Sequence, residues 1–302
     1  MGFINLFNII LEYMSGHTFH EDIEEEYLYG GTIIDPPPSL SSLVISPPVI
    51  SPPVISPNID STNTIPEHIK NYIDHRGSTL SDTEILDELN HNIVITPFIR
   101  SNLGPNSYDI TLGPYYFSHT KSSLTFFNPE SAKHSMRYWD VNLEDKLNYG
   151  AKHAELITDQ ETADNLDVNI GDEVIIIESG ETILAHTKEF IGGRNLITSS
   201  LHTRSTLARS CVSTHHTAGF GDVGFISRYT MEITNHGDDL IVLRVGSRVG
   251  QIGFHRTGPV SISYEKRGNY QSSDDIEQLT STWHPIMMLP SSARKYIESL
   301  TK

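Results

Sequence analysis

The stretch "GFGDVGFISRYTMEITN", residues 219–235, decides which fold this chain can adopt. Its first six residues match G-x-G-x-x-G, the fingerprint of a dinucleotide-binding turn. That turn works only when a helix follows, because the helix N-terminus holds the pyrophosphate. Here the residues that follow alternate instead. Tyr229, Met231 and Ile233 are apolar, and Arg228, Thr230, Glu232 and Thr234 between them are polar. A period of two describes a half-buried strand, so a Rossmann site is excluded. The glycines are expected to permit tight backbone at the mouth of that strand. Glu232 falls on its polar face. Taken alone, that is an ordinary solvated face, and the neighbouring segments decide whether it is more.

Outward from this strand the chain reads as short strands between Gly, Pro, Asn and Asp turns. The clearest are "NIVITPF" (92–98), "SYDITLG" (107–113), "DEVIIIES" (172–179), "ETILAHTKEF" (181–190) and "DDLIVLRVGSRVGQIGFH" (238–255). Many short strands with few helices imply a barrel or a sandwich. One helix is expected within 78–90, where Ser81 precedes Glu84 in the capping-box spacing and Ile85, Leu86 and Leu89 supply an apolar side. Residues 128–170 are polar and weakly patterned, an insertion or long excursion, and "SSARKYIESL" (291–300) suits a short helix.

The 302 residues carry a net charge of −17, which argues against a general nucleic-acid or membrane-surface binder. Residues 1–75 hold ten acidic residues against Lys70, so about half of that charge sits there. The same region contains "DPPPS" (35–39) and "VISPPVISPPVISP" (44–57), which repeats every five residues. Proline at this density builds neither helix nor inner strand, and reads as an extended spacer or a ligand for a proline-recognising module. Residues 1–77 are therefore expected to be a disordered extension, 78–271 the folded β domain and 272–302 a tail. The apolar opening "FINLFNIILEYM" is 12 residues long, interrupted by Glu12, and too short to span a bilayer. It suits a peripheral helix or a start that merely packs. The single cysteine, Cys211, permits neither an internal disulfide nor a Cys-rich zinc site and fits a reducing, cytoplasmic compartment.

Directly before the glycines, "RSTLAR" (204–209) packs Arg204, Ser205, Thr206 and Arg209 together. Two forked cations around two hydroxyls suit a polyphosphate, although a surface salt-bridge cluster has the same composition. "THHTAGFGDVGF" (214–225), "TMEITN" (230–235), "LGPNSYDITLG" (103–113), "TILAHTKEFI" (182–191), "GQIGF" (250–254) and "GNYQ" (268–271) complete an ordered series. Together these segments resemble the dCTP deaminase and dUTPase superfamily over roughly residues 79–271.

The resemblance implies a mainly β, distorted barrel or jelly-roll-like fold with few helices, assembled as a homotrimer with sites between subunits. It implies Glu232 as general base, taking a proton from water and returning it to the leaving amine. Arg209 would be the cation tuning that carboxylate, and Ser205 would orient water and base beside Thr217 and Ala218. Arg204 and Thr206 would hold phosphates. Asp222 would meet the deoxyribose 3′-hydroxyl, and Thr230, Met231, Gln251, Tyr264 and Tyr270 fall at positions that contact the nucleotide. Mg²⁺ would arrive bridging the triphosphate. The zinc deaminases instead need H-x-E with P-C-x-x-C, and one cysteine cannot supply that set.

Gly219-Phe220 before the aspartate resembles the members that convert dCTP directly to dUMP. Deamination to dUTP alone, a dUTPase, and a nucleotide-binding regulatory relative remain open on the sequence. Two departures stand out. Asn269 and Ser273 occupy places where the family's closing segment usually has Lys and Gln, with Lys266 or Arg267 as substitutes of uncertain register. His215 and His216 have no carboxylate or third histidine spaced for a metal; His215 is expected to orient backbone and His216 to pack. Trp139 and Trp283 are expected in a core or an interface.

Overall fold

A computed structural model describes residues 77–119, 126–271, 273 and 275–300. The acidic, proline-rich extension expected over 1–77 lies outside the described residues apart from Gly77. The described residues belong to one unit, Pro66–Lys302.

Helix α1 (Asp82–Glu88) begins where the sequence places it. Ser81 accepts from Glu84 N, the Glu84 carboxylate accepts from Ser81 N, and Ile85 is the residue that α1 buries. The chain then enters β1 (Ile93–Thr96) and the long β2 (Tyr108–Ser118). Within 128–170 lie α2 (Ala132–Tyr138), β3 (Lys152–His153), β4 (Glu155–Leu156) and α3 (Gln160–Leu166), capped by Ser131 and Asp159. Next come β5 (Glu173–Ile177), β6 (Thr182–Thr187), β7 (Phe190–Gly193), β8 (Ile197–Thr203) and the single helical turn α4 (Ser205–Arg209). The Gly-rich region contributes β9 (Val212–Ser213), β10 (Phe220–Gly221), β11 (Ile226–Ser227) and β12 (Thr230–Asn235). β13 (Ile241–Arg244), β14 (Arg248–Arg256), and helices α5 (Tyr264–Arg267), α6 (Ile276–Thr282) and α7 (Ser291–Leu300) finish the chain.

The main sheet runs β10-β8-β14-β2-β6-β12-β9, with β3 beside β2, and curls into a half-barrel. Two small sheets, β1-β7-β11 and β13-β5-β4, complete the wall. Two segments expected as single strands are each cut in two. Residues 181–190 break at Lys188-Glu189, and 225–235 break at Arg228-Tyr229. The breaks face each other: Tyr229 N donates to Thr187 Oγ1, and Thr187 N to Tyr229 O. Both chains leave one sheet for another at this corner, as barrel closure requires. Alternation cannot reveal such a jog, because apolar residues continue on both sides of it.

The central core fills the space between sheets, with Tyr108, Ile110, Met231, Ile233, Ile252 and Phe254 fully buried. A second apolar cluster covers the outer face of β2 and β6. There Phe117 and Leu184 meet Trp139, Met288, Leu289, Ala293 and Ile297. α7 and α2 form this layer, so β2 and β6 are buried on both faces along most of their length. α6 does the same for the small sheet, where Leu279 packs on Val94, Phe190 and Ile226.

His186 on β6 is fully buried under Trp283, with ring centres 4.5 Å apart. Tyr115 N donates to its Nε2 at 3.3 Å, and its Nδ1 lies 2.8 Å from Thr187 O. That network requires a neutral ring with the proton on Nδ1. Burial accordingly holds its pKa down, to about 3 from 6.5. A base with a depressed folded pKa binds its proton more readily in the unfolded chain. Stability is therefore complete above pH 6.5 and falls as pH drops toward 3, at up to about 1.4 kcal/mol per pH unit. Urea unfolding at pH 7.5 and pH 5.5 is expected to show this loss, and His186→Gln to remove much of it; an equal loss in both proteins would assign the acid sensitivity elsewhere.

Candidate active site

β12 turns Glu232 toward the outer face because its neighbours, Met231 and Ile233, enter the core. Cross-strand, Glu232 stands opposite Leu184 on β6. β9 pairs with the end of β12 and so brings the 214–218 loop alongside. In that loop His216 N donates to Glu232 Oε2 at 3.4 Å, and His216 Nε2 lies 2.6 Å from Thr234 Oγ1. His216 is thus tied to the carboxylate strand rather than merely packed. His215 is half-buried, and its Nδ1 has no hydrogen-bond partner among the described residues. Burial lowers the pKa of this ring, while the Glu232 carboxylate pulls it back up.

A cavity of about 440 Å³ opens in front of Glu232. Thr230 joins Glu232 from β12; Ala218, Phe220 and Asp222 come from the Gly-rich turn; Tyr264 and Tyr270 stand opposite. Seven of the residues expected at the site therefore share one space. The rest of its wall includes Trp139, Leu184, Arg228 and the run Met287, Met288, Leu289 and Pro290. Little in the local pattern marks that wall, because Trp139 lies in the weakly patterned excursion and the methionines in the tail. A larger, polar cavity of about 530 Å³ beside Arg194, Lys266 and Gln271 contains no expected site residue except that Lys266, offered as a phosphate substitute, lines it.

The glycines have specific tasks that involve no cofactor. β10 pairs with β8, setting Gly221 against Ser199. A Cβ on Gly221 would lie 1.8 Å from the Tyr229 hydroxyl, which itself bonds Ser199 Oγ at 2.6 Å. Gly224 adopts φ +92°, a conformation costly for any side-chain-bearing residue. Both serve to fold Asp222 back toward the cavity. Gly221→Ala is expected to destabilise the protein by roughly 1–3 kcal/mol, the usual range for overpacking. A urea midpoint unchanged from wild type would show that Tyr229 can yield.

The other expected residues stand elsewhere in the same chain. Ser205, Thr206 and Arg209 are exposed on α4, outside the Glu232 cavity. Arg204 lies 3.5 Å from Asp109, a buried carboxylate shared with Arg248 at 3.2 Å. Gln251 on β14 sits across from Asp109 and His202. Within one chain, the neighbour of Glu232 is thus the His216 amide and not Arg209. Met231 sends its side chain into the core, which leaves only its backbone for a ligand. Gly219 is buried, its carbonyl accepting from Leu201 N at 2.7 Å. The candidate site is two patches, the Glu232 cavity and the cationic, hydroxyl-bearing α4 end.

Among the described residues no group of three or more His, Cys, Asp or Glu side chains is arranged to hold a metal ion. Nor is any helix among them long and apolar enough to cross a membrane.

The curled, mainly antiparallel half-barrel thus sets Glu232 of β12 beside the Gly-Phe-Gly-Asp turn at one cavity. The chain belongs to the dCTP deaminase-like family, whose model matches residues 79–257. It is 30% identical over 193 residues to the dUMP-forming dCTP deaminase of Methanococcus aeolicus, an alignment covering 63% of this chain and 90% of that protein. The dUMP-forming dCTP deaminase of Methanocaldococcus jannaschii is also 30% identical, over 198 residues, covering 62% and 87%. Among solved structures, the 2′-deoxycytidine 5′-triphosphate deaminase of Agrobacterium tumefaciens aligns with TM-score 0.41 and 16% identity, over 60% of this chain and 49% of that one.

Proposed function

We propose that the protein is a dCTP deaminase that also cleaves the triphosphate, converting dCTP and two waters to dUMP, pyrophosphate and ammonia. The observation that carries this reading is that Glu232 and Asp222 line one cavity within the family-matched residues. Glu232 takes a proton from water, and the hydroxide adds at C4 of cytosine. The carboxylic acid passes that proton to N3, then takes the proton of the new C4 hydroxyl and delivers it to the amine, so that ammonia leaves as the carbonyl forms. Asp222 meets the 3′-hydroxyl, with Thr230, the Met231 backbone and Ala218 around the base and Tyr264 and Tyr270 closing the far side. Gly219-Phe220 and the names of the relatives support the dUMP-forming type. Mg²⁺ would enter with the triphosphate substrate and offset part of its negative charge. The reaction proceeds without protein-bound zinc, a reading supported by the single cysteine.

The exposure of Ser205, Thr206 and Arg209 away from their own Glu232 supports a homotrimer in which α4 of one subunit completes the cavity of the next. Arg204, Thr206 and Gln251 then reach the nucleotide across that boundary. Residues 78–271 form the catalytic domain in this reading, with 1–77 an appended extension and 272–302 a tail. The substrate and the unpaired Cys211 support a cytoplasmic location.

The test is incubation with dCTP, with and without Mg²⁺, followed by chromatography. The expected products are dUMP and pyrophosphate without accumulated dUTP. Accumulation of dUTP would restrict the activity to deamination. Turnover of dUTP with none of dCTP would make the protein a dUTPase, and binding without turnover would make it a sensor.

A further inference from the structure

The family match ends at residue 257, yet the wall of the Glu232 cavity includes residues well beyond it. Tyr270 is one of them, and what holds Tyr270 comes from still further along the chain. Arg294 on α7 is 6% exposed. Its Nη2 donates to Asn269 O, its guanidinium lies 5.2 Å over the Tyr270 ring, and its Nη1 donates to Glu298 Oε1 at 2.5 Å. The helix that carries it is fixed independently, by Ala293 and Ile297 in the apolar layer over Phe117 and Leu184. From the other end, the Gln271 carboxamide accepts from Ile226 N at 2.8 Å, and Tyr270 N donates to the Tyr264 hydroxyl at 3.3 Å. Residue 269 itself offers no cation, being Asn.

We propose that Arg294 is a positioning residue of the site: it latches the 269–271 segment from behind, so that Tyr270 stands at the cavity wall before substrate arrives. A buried charge needs partners, and beyond Glu298 on its own helix Arg294 finds them in a backbone carbonyl and a ring of the segment itself. The tail is therefore a built-in brace for the closing segment. A chain with a preorganised closing segment binds its ligand without ordering that segment first, so the latch acts on substrate affinity rather than on the chemical step. The kinetic part rests on the proposed deaminase function; the structural part does not.

The experiment compares full-length wild type, Arg294→Met, which keeps the bulk over Tyr270 and removes the donors, and Arg294→Lys. Hydrogen exchange without nucleotide is expected to quicken about tenfold across 264–271 in Arg294→Met, as for loss of one charge-assisted hydrogen bond, with β6 and β12 unchanged. With dCTP, KM is expected to rise about tenfold at a kcat within about threefold, and Arg294→Lys to recover part of the affinity. Unchanged exchange in 264–271 overturns the latch. Faster exchange with an unchanged KM overturns its role in the site. Should wild type leave dCTP intact, the deaminase reading fails while the exchange result still decides the latch. Should Arg294→Met fail to fold, Arg294→Lys carries the same comparison.

Discussion

Glu232→Gln is expected to abolish deamination while dCTP still binds. A positioned general base contributes about 10² to 10⁴ in rate, and here one carboxylate handles the proton twice, so the loss should reach the upper part of that range. Glutamine keeps the shape and the acceptor oxygen that faces the His216 amide, so the 214–218 loop should remain in place. Affinity should change little, because the carboxylate acts on water and the amine rather than holding the triphosphate. Calorimetric titration with dCTP, beside an ammonia-release assay, separates the two quantities. A variant that turns over normally would remove Glu232 from the role of base. One that neither binds nor turns over would make it a structural anchor of the loop.

The placement of Glu232 on the polar face of β12 was legible from clean alternation, whereas its role as base came only from the family resemblance, since alternation alone describes an ordinary solvated face. Glu232, Asp222, Ala218 and Phe220 all lie within 15 residues, so the resembled motifs are contiguous and the fold has little chain to bring together at the cavity. Short strands made a mainly β fold legible but left barrel and sandwich open, and the resemblance supplied the barrel. What the sequence hid lies where long-range packing decides. Sheet switching at Lys188-Glu189 and Arg228-Tyr229 leaves no local mark. α2 and α3 have seven residues each, too short to hold alone; both are capped, and α2 packs on α7, more than 100 residues away. Trp139 and Met287 looked like ordinary apolar residues because only the folded outer layer carries them to the cavity. Arg228 was read as a solvated residue, yet its guanidinium lies 4.5 Å over Trp283 and 5.1 Å over Phe190, again partners supplied from a distance. Its surroundings lower its pKa by burial, with the Glu189 carboxylate opposing.

The separation of α4 from Glu232 leads to the second large effect. If each active site combines Glu232 of one subunit with Ser205 and Arg209 of another, two inactive variants should repair one another. Glu232→Gln supplies an intact α4, and Arg209→Ala an intact carboxylate. Each alone is expected to lack activity. Unfolded separately, mixed equally and refolded together, they form closed rings in which a site is whole only when the right subunits adjoin. Random assembly around a cyclic interface makes about a quarter of the sites whole, so activity should return to about 25% of wild type. Arg209→Ala leaves the folded chain undisturbed, since Arg209 is exposed on a single helical turn. Recovery near a quarter requires the two residues to come from different chains, because no arrangement of same-chain sites regains a complete set. Absence of recovery, with mixed trimers demonstrated by mass spectrometry, would return α4 to its own subunit's site and require a movement of Arg209 toward Glu232 on nucleotide binding.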